Sequence, residues 1–549
     1  MTLDTLRQAP FNLDDDAITW VQSTLASLTP DEKVGQLFVF ASMGIDPDEA
    51  ERLARLQPAG ICRFFTDDAG YETAFMDQIR GDARLPLLIS ADLEGSRMSL
   101  SFGTEVPNPL ALAAVDDLQA SRQIARIMAE EAVAMGINWS FTPVLDINAA
   151  FRSSIVATRG FGNDIDRIER QALAQLDEFQ ASGLAATVKH WPGEGYDDRD
   201  QHLVTTANPL SVAHWEASFG RLYRAAIKAG AMSVMSAHIA FPAYMKARGF
   251  SGIEAYRPAS INRTLNIDLL RGALGFNGLI VSDATPMAGL GSWGDYADTL
   301  PQVIENGCDI ILFAPDPEAA VSAIRSAITD GRISAARLNE ALTRILGLKA
   351  ALGLHHGIAP ARVITSAEKT ALSRSITARA PVLEKDVQNL FPISPASHKK
   401  VLIVSGGIIS PITGAMPFVL PDLMQQQGFE ISVYTGEGAM PDPTNFDLLL
   451  YIFGEETLLT RGRIFLDWAK IGGNFHAAMQ RHWHHVPTAL LSFGYPYYLY
   501  DAPRMPTVVN AFCTMETMQE AVVDCMLGRA PWNTTSPVDA FCGLEDARF

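Results

Sequence analysis

Eight short apolar runs, at residues 37–41, 59–65, 86–91, 139–147, 185–188, 232–239, 278–282 and 310–314, alternate with stretches of helical periodicity. Short runs that are apolar on both faces read as strands of a parallel sheet covered by helices on both sides, because a half-exposed strand would alternate polar and apolar residues. Closed on itself, such a sheet is a (β/α)8 barrel. Left open, it is a doubly wound sheet, the main structural alternative. Helix signals fill the gaps between runs. Residues 118–135 set Ile124, Met128, Ala132 and Met135 on one face with Gly136 as a stop, and Thr29-Pro30-Asp31-Glu32 reads as a capped start with proline at the first helical position.

A barrel builds its chemistry at the C-terminal ends of its strands, and the runs here end in polar residues. The third leads into Asp92-Leu93-Glu94 and on to Arg97. The fourth reaches Asp146 and then Arg159, the fifth ends in Lys189-His190, the sixth in Ser236-Ala237-His238 and the seventh in Ser282-Asp283. Any one of these could cap a helix or solvate a rim, but together they point to a site. Beyond His190 the chain breaks at Pro192, Gly193 and Gly195 and becomes a loop. On it, Asp200 and His202 stand one residue apart, so a carboxylate can hold one ring nitrogen while the other carries a proton. A lone D-x-H of this kind is more often a satisfied surface pair.

At 549 residues the chain exceeds one core. The expected division is a barrel over 1–357, a connection over 358–397 that holds a helical stretch and the turn-rich Phe391-Pro392-Ile393-Ser394-Pro395, and a three-layer α/β/α sandwich over 398–549 with strands at 401–404, 429–433, 448–453, 488–492 and 507–510. Lys plus Arg number 43 against 62 Asp plus Glu, a net charge of −19, which argues against nucleic acid or an anionic membrane as partner. No basic leader, apolar segment and cleavage site open the chain, and no apolar run approaches a membrane span, so the expected compartment is the cytoplasm. Five scattered cysteines suit a reducing environment and read as buried thiols. Val404-Ser405-Gly406-Gly407 lacks dinucleotide spacing, and His482-Trp483-His484-His485 reads as a helix end, so neither a cofactor nor a metal is assigned.

Lys189-His190-Trp191-Pro192-Gly193-Glu194-Gly195 followed by Asp200-Gln201-His202 resembles the loop signature of glycoside hydrolase family 3, specifically its N-acetylglucosaminidase-like branch. Glu194 departs from it, standing where many members have a histidine. The resemblance extends to Leu490-Leu491-Ser492-Phe493-Gly494-Tyr495-Pro496, Val509-Asn510-Ala511-Phe512 and Gly528-Arg529-Ala530-Pro531 in the second half. It implies a retaining enzyme in which Asp283 forms a glycosyl-aspartate, His202 is the acid/base and Asp200 orients it, with Asp92, Arg97, Arg159, Lys189 and His190 lining the sugar subsite. Glu455-Glu456, which could reach over the barrel from the second domain, is the rival acid. Family members often carry a second arginine soon after the position of Arg97, whereas this chain has Met98-Ser99-Leu100-Ser101-Phe102, so plain β-glucosides and N-acetyl-β-glucosaminides stand level with muro-sugars as substrates.

An imidazole acid/base has a consequence for the acceptor. A carboxylate would repel an incoming phosphate anion, whereas an imidazole, neutral or cationic near neutral pH, would not. The expectation therefore tilts slightly towards transfer onto inorganic phosphate as co-substrate, with Arg199 as a candidate phosphate donor group beside Arg97, Arg159 and Lys189, cations that can equally hold sugar hydroxyls or pair with neighbouring carboxylates. Hydrolysis by water is the first alternative and a catalytically silent sugar-binding protein the second. An aldolase-type barrel that uses Lys189 as a Schiff base is a third.

Overall fold

Thr29 and Glu32 close a capping box in which each side chain accepts from the other's backbone amide, and the helix it starts, Pro30–Gly35, feeds the first strand. The computed structural model describes residues 3–46, 48–410 and 414–549. Eight parallel strands follow in chain order: β1 Phe38–Met43, β2 Gly60–Phe64, β3 Leu88–Ala91, β4 Trp139–Ser140, β5 Ala185–Trp191, β6 Ser233–Ser236, β7 Leu279–Ser282 and β8 Ile311–Leu312. Strand β8 pairs with β1 at Phe38–Ile311 and bridges to β7 at Val281–Ile310, so the sheet closes and the open-sheet alternative falls. At Gly60 a Cβ would lie 1.9 Å from the Leu88 carbonyl oxygen, so only glycine lets β2 approach β3 there. Inside the ring, Trp139 is fully buried and donates Nε1–H to Thr187 Oγ1 (2.8 Å) and Ser233 Oγ (2.9 Å), tying β4, β5 and β6 in one layer.

The two longest expected runs are cut short. The run at 139–147 ladders only over Trp139–Ser140, because Pro143 has no N–H to donate; beyond it the chain stays beside β5 through Leu145 N–H to the Lys189 carbonyl (2.8 Å). The run at 232–239 stops at Ser236, then resumes as Ile239–Ala240 against Thr206–Ala207, a small ribbon that holds the far end of the fifth-strand loop. The helix Leu118–Met135 is capped by Asp117 and ends on Gly136 at φ 95°, as its periodicity and stop residue suggest.

In the second sheet the strands run β9 Val382–Asp386, β14 Thr507–Asn510, β13 Thr488–Ser492, β12 Leu448–Phe453, β10 Lys400–Val404 and β11 Glu430–Tyr434 from edge to edge, with helices that include Leu420–Gln426 and Glu516–Met526 completing the sandwich. The expected connection at 358–397 needs correction. It holds the helix Ala367–Thr377, but β9 already belongs to the sandwich, paired antiparallel to β14. Its Glu384, Lys385 and Asp386 break the apolar pattern, which an antiparallel edge strand tolerates and a central parallel strand does not. The histidines at 482–485 sit in a turn rather than at a helix end, and His482 lines a cavity of about 330 Å³ with Asp442, Tyr451 and Trp468. All five cysteines are unpaired; Cys542 is only partly buried. Among the described residues no helix is long and apolar enough to cross a membrane.

Barrel and sandwich share a core, for Leu110, Ala111, Ala114 and Ala157 of the barrel pack into the apolar cluster of the second domain. Glu456 is the polar knot between them. Its carboxylate, buried at 8% exposure, accepts from Ser96 Oγ (2.7 Å) and Asn108 Nδ2 (3.2 Å) of the barrel and from Thr514 N (2.8 Å) and Oγ1 (2.7 Å) of the sandwich. Glu456→Ala strands those donors away from water and is expected to destabilise the protein by about 3 kcal/mol, since hydrogen bonds to a charged group are the strong ones and orphaned buried partners carry the full desolvation penalty. Urea unfolding followed by tryptophan fluorescence reads it; an unchanged midpoint would mean that the domains dock without this knot.

Candidate active site

Strand pleat puts side chains two residues apart on one face, and at the tip of β3 that brings Asp92 and Glu94 together over the barrel mouth. Lys189, at the end of β5, donates Nζ–H to Asp92 Oδ1 (2.8 Å) and makes an ion pair with Glu94 Oε1 (2.7 Å). Arg159, from the long segment after β4, forks onto Glu94 with Nε to Oε2 at 2.8 Å and Nη2 to Oε1 at 2.9 Å, and its Nη2 lies 3.4 Å from His190 Nε2. His190 Nδ1 meets Asp146 Oδ2 at 2.5 Å, while Asp146 Oδ1 accepts from the backbone N–H of His190 (3.1 Å) and of Glu194 (2.9 Å).

The electrostatics follow from this pairing. Burial alone would push Glu94 up, but Arg159 and Lys189 hold its carboxyl well below the usual range. Burial would push Lys189 down, yet Asp92 and Glu94 raise it on balance, so its amine stays protonated and the Schiff-base reading of Lys189 has no free nucleophile. Arg159 is raised too, with Glu94 outweighing its burial. Glu194 goes the other way: burial first, then the carboxylates of Asp146, Asp283 and Asp200, push it well above its ordinary value despite the opposing field of Arg159. One of its oxygens accepts from Gln201 Nε2 (3.1 Å); the other, Oε1, is buried with no partner among the described residues. Asp146, His190 and Glu194 bring ligand-type atoms within 4.8 Å of one another, a group of the kind that can hold a metal ion, though His190 Nδ1 is already engaged by Asp146.

The loop that leaves β5 is aimed by Gly195, at φ 109°, where a Cβ would lie 2.0 Å from the Ile147 carbonyl oxygen. It carries Asp200, 2% exposed, whose Oδ1 accepts from both the backbone N–H (2.8 Å) and the ring Nδ1 (2.7 Å) of His202. A ring nitrogen facing a carboxylate bears the proton, which leaves His202 Nε2 for exchange with a substrate. Asp200 Oδ2 accepts from the backbone N–H of Thr460, in the second domain, at 2.8 Å. Against the upward push of burial, His202 and these amides hold the Asp200 carboxyl below its usual range.

At the tip of β7, Asp283 is buried; its Oδ1 accepts from Ala284 N–H (2.7 Å) and its Oδ2 has no hydrogen-bond partner among the described residues. Burial raises it, but the fields of His190, His238 and His202 together with the Ala284 amide bring it below the ordinary value, so it is ionised at neutral pH. The His202 loop is stitched to the segment after Asp283: Ala288 N–H donates to the His202 carbonyl (3.0 Å), Gly289 N–H to that of Gln201 (3.2 Å) and Thr205 Oγ1 to that of Gly289 (2.6 Å). His238 completes the wall, with Nε2 at 3.0 Å from the Ala284 carbonyl and Nδ1 at 2.8 Å from Ser260 Oγ.

Asp283, His202, Asp200, Asp92, Lys189, His190 and Arg159 are therefore gathered at one mouth. Arg97 and Arg199 are not part of the cluster. Arg97 is exposed and donates Nε–H to Thr514 Oγ1 of the sandwich (2.9 Å), and Arg199 is turned onto Asp197, with Nε at 2.8 Å from Oδ1 and Nη2 at 2.5 Å from Oδ2, so two of the donors that phosphate was expected to use are partly engaged elsewhere. The rival acids are also engaged, Glu456 in the domain knot and Glu455 by the Tyr498 hydroxyl. Glu94, Asp146 and His238 were read only as polar residues of the rim, and Glu194, Gln201 and Thr460 received no site role from sequence reasoning. The two-residue spacing of Asp92 and Glu94 was a usable signal; Thr460 had none.

A profile described as "Glycosyl hydrolase family 3 N terminal domain" matches residues 29–348. A Cellulomonas fimi protein described as "Beta-N-acetylglucosaminidase/beta-glucosidase" is 39% identical over 565 residues, covering 98% of this chain and 99% of its own. Among solved structures, a beta-glucoside phosphorylase, BglX, bound to 2FGlc superposes with a TM-score of 0.91 at 31% identity, over 99% of this chain and 100% of that one. A family 3 beta-N-acetylglucosaminidase from Paenibacillus sp. str. FPU-7 shares the fold with a TM-score of 0.80 at 24% identity, over 94% of this chain and 100% of that one.

Glu194 supplies a pH test of the site. With its folded-state pKa above the unfolded value, folding takes up a proton there, so stability falls as pH rises from the ordinary carboxylate range towards the raised value. Glu194→Gln, isosteric and with no proton to lose, is expected to flatten that fall, read as the difference in thermal midpoint between about pH 4.5 and pH 8 in mutant and wild type. Parallel curves for the two proteins would mean that Glu194 is ionised in the native state.

Proposed function

The chain belongs to glycoside hydrolase family 3 and is a glycosidase-type enzyme; on that premise we propose that it cleaves β-glucosides and N-acetyl-β-glucosaminides with retention and passes the sugar to inorganic phosphate. The observation that carries the mechanism is the Asp283 carboxylate, ionised in a buried site with Oδ2 unpartnered among the described residues and an imidazole–carboxylate pair on the adjoining loop. Asp283 Oδ2 attacks the anomeric carbon while His202 Nε2 protonates the departing oxygen, giving a glycosyl-aspartate. In the second half-reaction His202 takes a proton from the acceptor, whose oxygen displaces Asp283. Asp200 holds Nδ1–H and with it the orientation of the ring through both steps, while Nε2 carries the proton in the first and is bare in the second. Asp92, 24% exposed at its side chain, is the open end of the charge cluster and accepts from sugar hydroxyls, while Lys189, Arg159 and His190 hold the subsite floor.

Transfer to phosphate draws support from the imidazole acid/base, which does not repel an anionic acceptor, and from the full-length likeness to a beta-glucoside phosphorylase. A second reading, hydrolysis by water, draws support from the Cellulomonas relative, whose description names glycosidase activities. The chemistry requires no cofactor beyond the acceptor. Five unpaired cysteines fit a reducing compartment, the cytoplasm.

Aryl β-glucoside and N-acetyl-β-glucosaminide, each turned over with and without phosphate, separate the two acceptors: the proposal expects a rate that saturates with phosphate and a sugar 1-phosphate that keeps the β configuration. A rate indifferent to phosphate would leave hydrolysis. Asp283→Gly is expected to abolish turnover, and His202→Ala to slow alkyl glycosides by roughly 10²–10⁴-fold while sparing activated aryl glycosides. Equal losses on both substrate types would make His202 a structural residue.

A further inference from the structure

Among the described residues, the cations gathered at the barrel mouth are paired in whole or in part. Lys189 and Arg159 are locked to Asp92 and Glu94, Arg199 to Asp197, and Arg152 stacks over the Tyr500 ring at 4.8 Å and bonds its hydroxyl. The pocket also holds the carboxylates of Asp283, Asp200 and Asp92, and the chain as a whole carries a net charge of −19. A phosphate arriving at His202 is therefore helped by an unpaired positive group on the acceptor side.

The second domain supplies one. Beyond strand β12 the chain crosses onto the barrel and is fastened at three points: the Glu456 carbonyl accepts from Thr158 Oγ1 (3.1 Å), Leu458 N–H donates to the Ser154 carbonyl (3.2 Å) and Thr460 N–H donates to Asp200 Oδ2 (2.8 Å). Thr460 adopts φ 64°, a left-handed conformation that a β-branched residue keeps only where its surroundings dictate it. The next residue is Arg461, one Cα–Cα step of about 3.8 Å from the residue that touches the dyad. Arg461 is exposed, and among the described residues its guanidinium has no ion pair or hydrogen bond. Gly462 follows, and Arg463, the other cation of the segment, lies over the Phe465 ring at 4.3 Å.

We infer that Arg461 is the acceptor-phosphate residue, carried to the active site by the sandwich domain and set there by the Thr460–Asp200 bond. The inference rests on phosphate as acceptor. The guanidinium binds two oxygens of the incoming phosphate as a fork and offsets its repulsion from the pocket carboxylates. The phosphate P–OH gives its proton to His202 Nε2, its oxygen forms the new bond to the anomeric carbon, and the ester bond to Asp283 breaks with its electron pair returning to the carboxylate.

The test is the phosphate dependence of aryl β-glycoside turnover in the wild type, Arg461→Ala and Arg461→Lys. Arg461→Ala is expected to raise the KM for phosphate at least tenfold, with a much smaller loss in phosphate-free hydrolysis, and Arg461→Lys to recover part of the affinity by restoring charge without the fork. A wild-type phosphate response that survives unchanged in Arg461→Ala would overturn the Arg461 site and leave the acceptor reading standing. So would an equal loss with phosphate and with water, which marks a structural role. A wild type with no phosphate response would overturn the acceptor reading, and this site with it.

Discussion

An ammonium, a guanidinium, an imidazole and two carboxylates lie almost wholly out of water at the barrel mouth, with the partly open carboxylate of Asp92 beside them, and each is tolerable there only because the others are present. Removing one partner of a buried ion pair is far more damaging than never having had the pair, since the survivor is left with its desolvation penalty and no compensation. Asp92, Lys189, Glu94 and Arg159 form one run of such pairs and His190 with Asp146 another, joined by the 3.4 Å contact of Arg159 with His190, across β3, the segment after β4, and β5. The cluster thus fixes the strand tips relative to one another before any substrate arrives. A sugar entering beside Asp92 meets groups already oriented, which is the preorganisation that electrostatic catalysis depends on.

On this rigid floor stand two groups held more lightly. Asp283 is fastened through one oxygen and free at the other; His202 sits on a loop bonded on one flank to residues 288–289 and on the other to the second domain. The pocket is therefore a joint product of both domains, although the charged residues of its sugar subsite and the dyad come from the barrel. Glu456 and Thr460, four residues apart in one segment, divide the work: the first ties the domains together and the second reaches the dyad.

Strand–helix alternation made the barrel legible from the chain, because parallel strands covered on both faces must be apolar throughout, and the polar residues at run ends showed which rim would carry the chemistry. The D-x-H loop was equally legible, since its geometry is set within three residues. Most of what escaped was set by long-range partnership. Strand β9 reads as linker because its charges are acceptable only at a sheet edge. Arg199 reads as a phosphate donor or as the partner of a neighbouring carboxylate, and Asp197, two residues away, is the partner it takes. Glu194 is an ordinary loop glutamate in sequence and becomes an unusual acid only when Asp146, Asp283 and Asp200 converge on it.

The bond from the sandwich to Asp200 has one more property. Its donor is a peptide amide, and every residue except proline owns one. Residue 460 can exchange its side chain for many others with the bond untouched, so the contact is recorded in the path of the chain and leaves no letter in the alphabet of residue types. Any search for catalytic partners that compares side chains position by position will pass over it, and only the shape of the crossing segment gives it away.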